Sequence, residues 1–211
     1  MRVIQAQSAG FCYGVERAVR MAEEAAAAGG CVMLGSIIHN DSVVRRLEAL
    51  GARQVQSAEE VQPGETVLIR AHGEPVETYR TLEARGARVL DATCPHVLRI
   101  HRLVERAEQE GRTPLIIGED HHPEVIAAAS RSSRSVVLGN AEELAEWLAA
   151  VPARRTERLL AVAQTTCIRS IWEKCLNFLK KECTNAEIFD TICKATEMRQ
   201  EEAAFLSTRC D

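Results

Sequence analysis

The sequence predicts an α/β protein built from parallel sheets, and three observations lead to this fold class. Short apolar segments alternate along the chain with stretches rich in Ala, Glu, Arg and Leu, which is the rhythm of βαβ units. The apolar segments are nearly continuous, as is typical of strands buried on both faces of a parallel sheet. The 211 residues are enough for two units of about 100 residues and the beginning of a third.

The order of these segments predicts where the strands and helices lie. The predicted strands span residues 2–5, 31–35, 66–70, 88–91, 114–117, 135–138, 159–163 and 187–190. The predicted helices, whose apolar residues recur at helical spacing, span residues 15–28, 41–50, 76–85, 97–109, 123–130, 141–150, 170–182 and 195–206. Gly51, Gly86 and Gly111 follow predicted helices at the position where a left-handed cap favours glycine.

Composition excludes several classes of protein. Hydrophobic residues at 46% and charged residues at 27% are ordinary for a globular chain. A net charge of −4 and an aromatic content of 4% argue against a nucleic-acid partner. No segment has the roughly 20 apolar residues of a membrane span, and the N-terminus does not resemble a signal peptide. We therefore expect a cytoplasmic protein with no membrane partner, in which the eight cysteines stay reduced unless they bind metal or react.

Three of the cysteines share a pattern. Cys12, Cys94 and Cys193 each follow an apolar segment and begin a predicted helix, and they lie 82 and 99 residues apart. Two of them also share an Asp-x-x-Cys sequence, in 91–94 and 190–193. Since the spacing is about one small α/β unit, three similar units would each present one cysteine toward a common point.

Three such cysteines suit an iron–sulfur cluster. A helix N-terminus favours the thiolate, and three thiolates can hold a [4Fe-4S] cluster that keeps one iron open as a Lewis acid. A zinc site more often contains a C-x2-C pair, which this sequence lacks. Any cysteine can instead be a small buried hydrophobe, and this interpretation fits the remaining ones better: Cys31, Cys167, Cys175, Cys183 and Cys210. Cys167 adjoins Thr165 and Thr166, so a place in the lining of the site is a second interpretation for it.

Three histidines form a second group. His39, His72 and His122 each follow a predicted strand, so they converge on the same edge as the cysteines if the sheets are parallel. Imidazole donors together with the N–H groups of helix starts suit a phosphate or diphosphate anion. The alternative is that they are solvated loop residues, and His96 and His101 are interpreted as structural or exposed.

Two further residue types have two interpretations each. Glu124 begins a helix just after Pro123, where it is either a favourable charge in the first turn or a proton donor with a raised pKa. Thr165 and Thr166 follow a predicted strand, where they either cap a helix or hydrogen-bond a substrate hydroxyl. The residues alone leave these alternatives open.

Seven motifs occur in the order found in the LytB/IspH family of 4-hydroxy-3-methylbut-2-enyl diphosphate reductases, which the chain resembles over residues 1 to about 205. The motifs are Gly10-Phe11-Cys12-Tyr13-Gly14-Val15-x-Arg17-Ala18, Ile38-His39-Asn40, Arg70-Ala71-His72-Gly73, Asp91-Ala92-Thr93-Cys94-Pro95, His122-Pro123-Glu124-Val125, Gln164-Thr165-Thr166 and Ile192-Cys193-x-Ala195-Thr196-x-x-Arg199-Gln200.

The resemblance implies a trefoil-like arrangement of small parallel-sheet α/β domains around a central iron–sulfur cluster. It assigns residues 1–13 to a strand of the third domain and residues 14–94 to the first domain. Residues 95–192 form the second domain, and residues 193–211 begin a third domain that is largely missing. The absent part carries a Ser-x-Asn diphosphate-binding segment in the family, and Glu119-Asp120 adds negative charge where the family often has histidine or lysine.

The resemblance also implies an activity, the last step of the non-mevalonate isoprenoid route. The enzyme would reduce (E)-4-hydroxy-3-methylbut-2-enyl diphosphate, an allylic diphosphate, to isopentenyl and dimethylallyl diphosphates, with electrons from a ferredoxin or flavodoxin. Two alternatives are a non-catalytic remnant that binds a cluster and a zinc or thiol protein that uses the same cysteines. The implied site residues are Cys12, Cys94 and Cys193 for the [4Fe-4S] cluster, His39, His72 and His122 for the diphosphate, Glu124 for proton relay and Thr165 for contact near the hydroxyl.

Overall fold

The computed structural model describes residues 3–38 and 40–209, and this part of the chain alternates between helices and strands. Its α-helices are α1 Tyr13–Ala27, α2 Asp41–Ala49, α3 Val76–Ala84, α4 Pro95–Gln109, α5 Pro123–Ala129, α6 Ala141–Ala150, α7 Arg169–Glu182 and α8 Lys194–Ser207. Its strands are β1 Cys31–Leu34, β2 Ala52–Val55, β3 Thr66–Ile69, β4 Arg88–Asp91, β5 Thr113–Ile117, β6 Val136–Leu138, β7 Leu159–Ala163 and β8 Ala186–Phe189, with short 3-10 helices at Ala58–Glu60 and Pro152–Arg155.

The strands form two sheets of four strands, and every pairing in both sheets is parallel. The first sheet has the order β2-β1-β3-β4, and the second repeats it as β6-β5-β7-β8. In the second sheet, for example, Leu115 lies opposite Val136 on one side and Ala161 on the other. All strands of a sheet therefore end at the same edge, where parallel α/β proteins place their sites.

Helices cover both faces of each sheet, which explains the continuous apolar segments in the sequence. In the first sheet, α1 and α2 pack on one face and α3 packs on the other. In the second sheet, α6 and α7 cover one face, and α4 and α5 cover the other. All five residues of β7 are buried. No helix within the described ranges combines the length and apolarity needed to cross a bilayer.

Seven of the eight predicted strands and all eight predicted helices are present, with bounds that differ by at most two residues. The strand that the sequence analysis missed is β2, which pairs with the rest of its sheet on one side only. Its inner residues Arg53 and Gln54 are polar, whereas Ala52 and Val55 at its ends are buried. An edge strand needs fewer apolar side chains than a central one, so its sequence pattern is weak.

The predicted strand at 2–5 is wrong for residues 3–5, which adopt no regular structure. No strand in the described part of the chain pairs with them, so a strand has no ladder to join. Residue 2 lies outside the described residues. The two sheets fall within 14–94 and 95–192, and the expected domain boundaries themselves stay predictions.

A core truncation in β7 tests this packing. Leu160 is fully buried between the second sheet and α4 and α5. We expect Leu160→Ala to lower the free energy of unfolding by about 2–5 kcal/mol, because it removes buried methyl groups and leaves a cavity. The matched control is Leu50→Ala, at a side chain that is 44% exposed, with an expected loss of about 0.5 kcal/mol or less. Equal losses in urea unfolding followed by circular dichroism would contradict this packing.

Candidate functional site

The three cysteines with the shared pattern occupy equivalent positions. Cys12 is the N-cap of α1, Cys94 is the N-cap of α4, and Cys193 is the N-cap of α8, all with extended backbone dihedrals. All three line one cavity of about 210 Å³. Side chains that are far apart in sequence are thus brought to one place by three helix N-termini.

Backbone hydrogen bonds attach two of these cysteines to a neighbouring strand exit. The N–H of Cys94 donates to the carbonyl of Ala71, just after β3, at 2.9 Å. The N–H of Cys193 donates to the carbonyl of Thr165, just after β7, also at 2.9 Å. The two segments are therefore held in the same way, each by a carbonyl just after the neighbouring strand of its own sheet.

The Asp-x-x-Cys sequence has a structural role. Asp91 Oδ1 accepts a hydrogen bond from the N–H of Thr93 at 2.8 Å, and Asp190 Oδ1 accepts one from the N–H of Ile192 at 3.2 Å. An aspartate that bonds the backbone two residues on forms a turn. The turn ends the strand and delivers the next residue as the cap of the following helix.

Gly14 lets α1 approach the Cys94 thiol closely. A Cβ atom at this position would lie 2.7 Å from Cys94 Sγ, which is closer than real Cβ contacts. Any larger residue would push the thiol or the helix away. Gly14 lies in the first turn after Cys12, and its lack of a side chain leaves space beside the thiol of Cys94.

The surroundings of Cys94 oppose the ionisation of its thiol. Burial raises the pKa of the Cys94 thiol, while backbone N–H groups of His96 and Val97 favour its thiolate. Negative charge on Cys12 or Cys193 would raise it further. The expectation that the helix N-terminus would favour the thiolate is therefore outweighed at Cys94 by burial. Neighbouring thiolates in such a place need positive charge between them.

The three cysteines share a cavity without forming a site for a single metal ion. Among residues 3–38 and 40–209, no three His, Cys, Asp or Glu side chains converge closely enough to hold a single metal ion. The three cysteines instead surround the cavity.

A buried carboxyl group lies on the same cavity. Glu124, in the first turn of α5, is only 2% exposed. Its Oε1 accepts from the N–H of Thr165 at 2.6 Å, and its Oε2 is 2.6 Å from Thr165 Oγ1. Burial raises the pKa of Glu124, although both hydrogen bonds from Thr165 oppose the rise. This carboxyl group thus holds its proton at a higher pH than an exposed one does.

Two of the three predicted histidines lie together. The rings of His72 and His122 are edge to face, with centroids 5.2 Å apart, and His72 lines the cavity. His122 is the N-cap of α5, and its Nδ1 accepts from the N–H of Glu124 at 3.1 Å. A nitrogen that accepts carries no proton, so Nε2 carries the proton in this tautomer. His39 lies outside the described residues.

A tight turn positions the His72 loop. Gly73 has a φ of +75°, and a Cβ there would lie 2.8 Å from Cε1 of His101. His101 is buried, and burial, with the nearby Arg131 charge, lowers its pKa to about 4. A neutral imidazole therefore packs beneath the loop, which is the structural role expected for His101. Arg70 and Glu74 brace the same loop with an ion pair of 2.7 Å.

Sequence reasoning did not assign Arg199 or Gln164 to the site. Arg199 lines the cavity, as do Thr166, for which a substrate contact is one of the two interpretations above, and His96, which is exposed. Behind them, Gln164 is buried and donates from Nε2 to Thr166 Oγ1 at 2.8 Å, while its Oε1 accepts from the N–H of Glu119 at 3.0 Å. Gln164 and Arg199 both lie in the quoted motifs, and that position in a motif is the one signal that pointed to them.

The other cysteines stay away from the cavity. Cys31, Cys167 and Cys175 are buried in apolar clusters on the two sheets, and Cys183 is half-buried after α7. Burial raises the pKa of Cys175 to about 11. These thiols pack as small hydrophobes, as expected. Cys210 lies outside the described residues.

The raised pKa of Glu124 predicts a pH dependence of stability. A carboxyl group whose pKa is raised by folding favours the folded state fully below its unfolded pKa, and this contribution is lost as pH rises through the folded pKa. We expect Glu124→Gln, which cannot ionise, to lose less stability than wild type between pH 5 and pH 8. Urea unfolding of the metal-free proteins measures it, with the exposed Glu119→Gln as control. Parallel pH curves for wild type and Glu124→Gln would contradict the raised pKa.

Comparison with known proteins identifies the family. Residues 3–211 match the family model described as LytB protein. The 4-hydroxy-3-methylbut-2-enyl diphosphate reductase of Caldanaerobacter subterraneus subsp. tengcongensis is 37% identical over all of this chain and 73% of its own length. The enzyme of the same name from Aquifex aeolicus is 37% identical over 99% of this chain and 72% of its own length.

Solved structures agree with this match. One, described as (E)-4-hydroxy-3-methyl-but-2-enyl diphosphate reductase, the terminal enzyme of the non-mevalonate pathway, has a TM-score of 0.80 and 35% identity over 99% of this chain and 74% of that chain. The E-1-hydroxy-2-methyl-but-2-enyl-4-diphosphate reductase from Plasmodium falciparum has a TM-score of 0.87 and 27% identity over 96% of this chain and 64% of that chain. The family model, the relatives and the fold agree, and the chain belongs to the LytB family.

Proposed function

We propose that this chain is a reductase acting on (E)-4-hydroxy-3-methylbut-2-enyl diphosphate, with isopentenyl and dimethylallyl diphosphates as products. In this reaction the allylic C–O bond breaks and a C–H bond forms. Two electrons and two protons are consumed, and the hydroxyl leaves as water. The protein must therefore hold an anion, deliver protons and carry electrons at one place.

The observation that carries the proposal is the cavity shared by three helix-capping cysteines and one buried carboxyl group. The residues fit a [4Fe-4S] cluster held by Cys12, Cys94 and Cys193, since three thiols face one space from three helices. Gly14 keeps the side of the Cys94 thiol open, where a Cβ would intrude to 2.7 Å. The helix N–H groups and a cationic cluster together would offset the charge of three thiolates.

When bound, the cluster would supply electrons and a Lewis-acidic iron with no protein ligand. Side chains of this chain contribute to the remaining tasks. They bind the diphosphate, orient the hydroxyl toward the cavity and move protons to the oxygen that leaves.

Glu124 and Thr165 form a relay for these protons. Oε1 of Glu124 accepts from a backbone N–H, so a proton on this carboxyl group lies on Oε2, 2.6 Å from Thr165 Oγ1. Thr165 can accept that proton while its own hydroxyl proton passes to a substrate oxygen. Burial raises the pKa of Glu124 and so retains the proton at a pH where an exposed carboxyl group would lose it. Gln164 and Thr166 support the strand exit that holds Thr165.

His72 and His122 are the donors for the diphosphate within the described residues, and the prediction for His39 extends the group. The edge-to-face contact of the two rings, 5.2 Å between centroids, places both imidazoles beside the N-terminus of α5. That N-terminus favours negative charge. The proton on His122 Nε2 then serves as a hydrogen-bond donor to a phosphoryl oxygen.

A ferredoxin or flavodoxin would supply electrons one at a time, because the reaction needs two and a cluster accepts them singly. Reduced thiols and a cluster of this kind favour the reducing cytoplasm as the place of the reaction.

Anaerobic reconstitution tests the cluster. We expect about four irons and four sulfides per chain with a [4Fe-4S] absorption spectrum, and we expect Cys94→Ser to abolish most of this iron. The matched control is Cys183→Ala, at a half-buried cysteine away from the cavity, which should retain it. A colourless protein that binds zinc would refute the proposal and favour a thiol or zinc protein.

Turnover tests the relay. With a chemical reductant replacing the protein donor, we expect Glu124→Gln to keep its iron and to lose turnover by roughly 10² or more, since general acid catalysis contributes 10²–10⁴. Thr165→Val should resemble it, whereas Thr165→Ser, which keeps the hydroxyl, should retain most activity. Wild-type rates in Glu124→Gln would show that the relay is wrong. A loaded wild-type chain with no turnover would favour a cluster-binding protein without catalysis.

A further inference from the structure

The segment that carries Cys12 is held differently from the other two cysteine segments. Residues 3–11 contain no helix or strand, and the backbone N–H of Cys12 is not attached to a strand exit in the described part of the chain. In that part, every long-range hydrogen bond from residues 3–12 goes to Arg199 or Glu202, both on α8. This helix begins at Cys193.

The contacts form a two-sided clamp. Arg199 donates from Nη2 to the carbonyl of Gly10 at 2.7 Å and from Nε to the carbonyl of Ser8 at 3.3 Å. Glu202 accepts from the N–H of Ser8 at 2.8 Å and from the N–H of Gln7 at 2.5 Å, and it also accepts from the Ser8 hydroxyl. The two side chains are three residues apart and so lie on one face of α8.

We infer that Arg199 and Glu202 are positioning residues that hold Cys12 at the cluster cavity by clamping residues 7–10 to the helix that begins with Cys193. A guanidinium suits this task because its fixed fork of donors can bind two carbonyls of one turn. Arg199 also lines the cavity. The clamp thus replaces, with side chains, the backbone bond that fixes Cys94 and Cys193.

A second arginine makes a weaker connection of the same kind. Arg17, on α1, donates to the carbonyl of Thr93 at 3.3 Å and to that of Asp91 at 3.4 Å. These distances exceed the usual range, so this contact contributes less than the bond of 2.7 Å from Arg199. The Cys94 segment also has its backbone bond to Ala71, whereas residues 7–10 depend on the clamp.

Alkylation of the metal-free protein tests the clamp without a cluster. Iodoacetamide is applied to the native, reduced chain, and mass spectrometry of peptides measures the rate at each cysteine. We expect Arg199→Gln to raise the rate of Cys12 relative to Cys94 about tenfold, because the freed segment exposes the thiol. Glu202→Gln should raise it about threefold. Glu201→Gln, at the exposed neighbouring residue, should leave the ratio unchanged.

The direction of the change reports on the clamp, because loss of the clamp exposes the Cys12 thiol and speeds its alkylation. Arg199→Lys keeps the charge but not the fork, so we expect a rate between those of wild type and Arg199→Gln. The fully buried Cys175 reports global unfolding. If Cys175 also reacts in Arg199→Gln, that variant has unfolded, and the Cys12 rate in the folded Glu202→Gln variant tests the clamp instead.

An unchanged or lowered Cys12 ratio in the folded variants would overturn the inference. Anaerobic reconstitution is the second readout, and we expect Arg199→Gln to bind several-fold less iron than Glu201→Gln. This iron readout rests on the proposed cluster, but the alkylation does not. A wild-type chain that binds no iron would therefore count against the proposed function. The alkylation rates would still test the clamp.

Discussion

The parallel pairing of both sheets is the constraint on which the site depends. In a parallel sheet every strand ends at the same edge, and the next helix begins there with unpaired N–H groups. The two sheets share one strand order, so the residues that follow equivalent strands have equivalent roles. The exit of β3 holds Cys94 through Ala71, and the exit of β7 holds Cys193 through Thr165. The Asp-x-x-Cys repeat in the sequence therefore corresponds to a repeated backbone hydrogen bond, from the cysteine to the exit of the neighbouring strand.

This geometry sets two electrostatic environments side by side. At Cys94, burial raises the pKa of the thiol, and the backbone N–H groups of His96 and Val97 offset only part of this rise. At Glu124, burial likewise favours the neutral form against two hydrogen bonds from Thr165. In both places burial favours the neutral form of the group, and a cation beside Cys94 would favour its thiolate.

Much of the fold could be predicted because buried strands and amphipathic helices leave strong local patterns. β2 escaped prediction since Arg53 and Gln54 interrupt its apolar residues, and residues 3–5 failed as a strand because pairing depends on a partner that no local pattern reveals. The convergence of the cysteines followed from their shared place before helices. The raised pKa of Cys94 could not be predicted in this way, because the degree of burial is a tertiary property.

The third cysteine segment differs in what holds it. The segments of Cys94 and Cys193 form part of the backbone network of a sheet, whose hydrogen bonds form together with the fold. The segment of Cys12 lies against α8, in which no residue is buried, and its hydrogen bonds to that helix come from Arg199 and Glu202. Specificity there comes from polar side chains that fit one backbone turn, which sequence periodicity does not reveal. Two cysteines are thus placed by topology and the third by side-chain recognition within the chain.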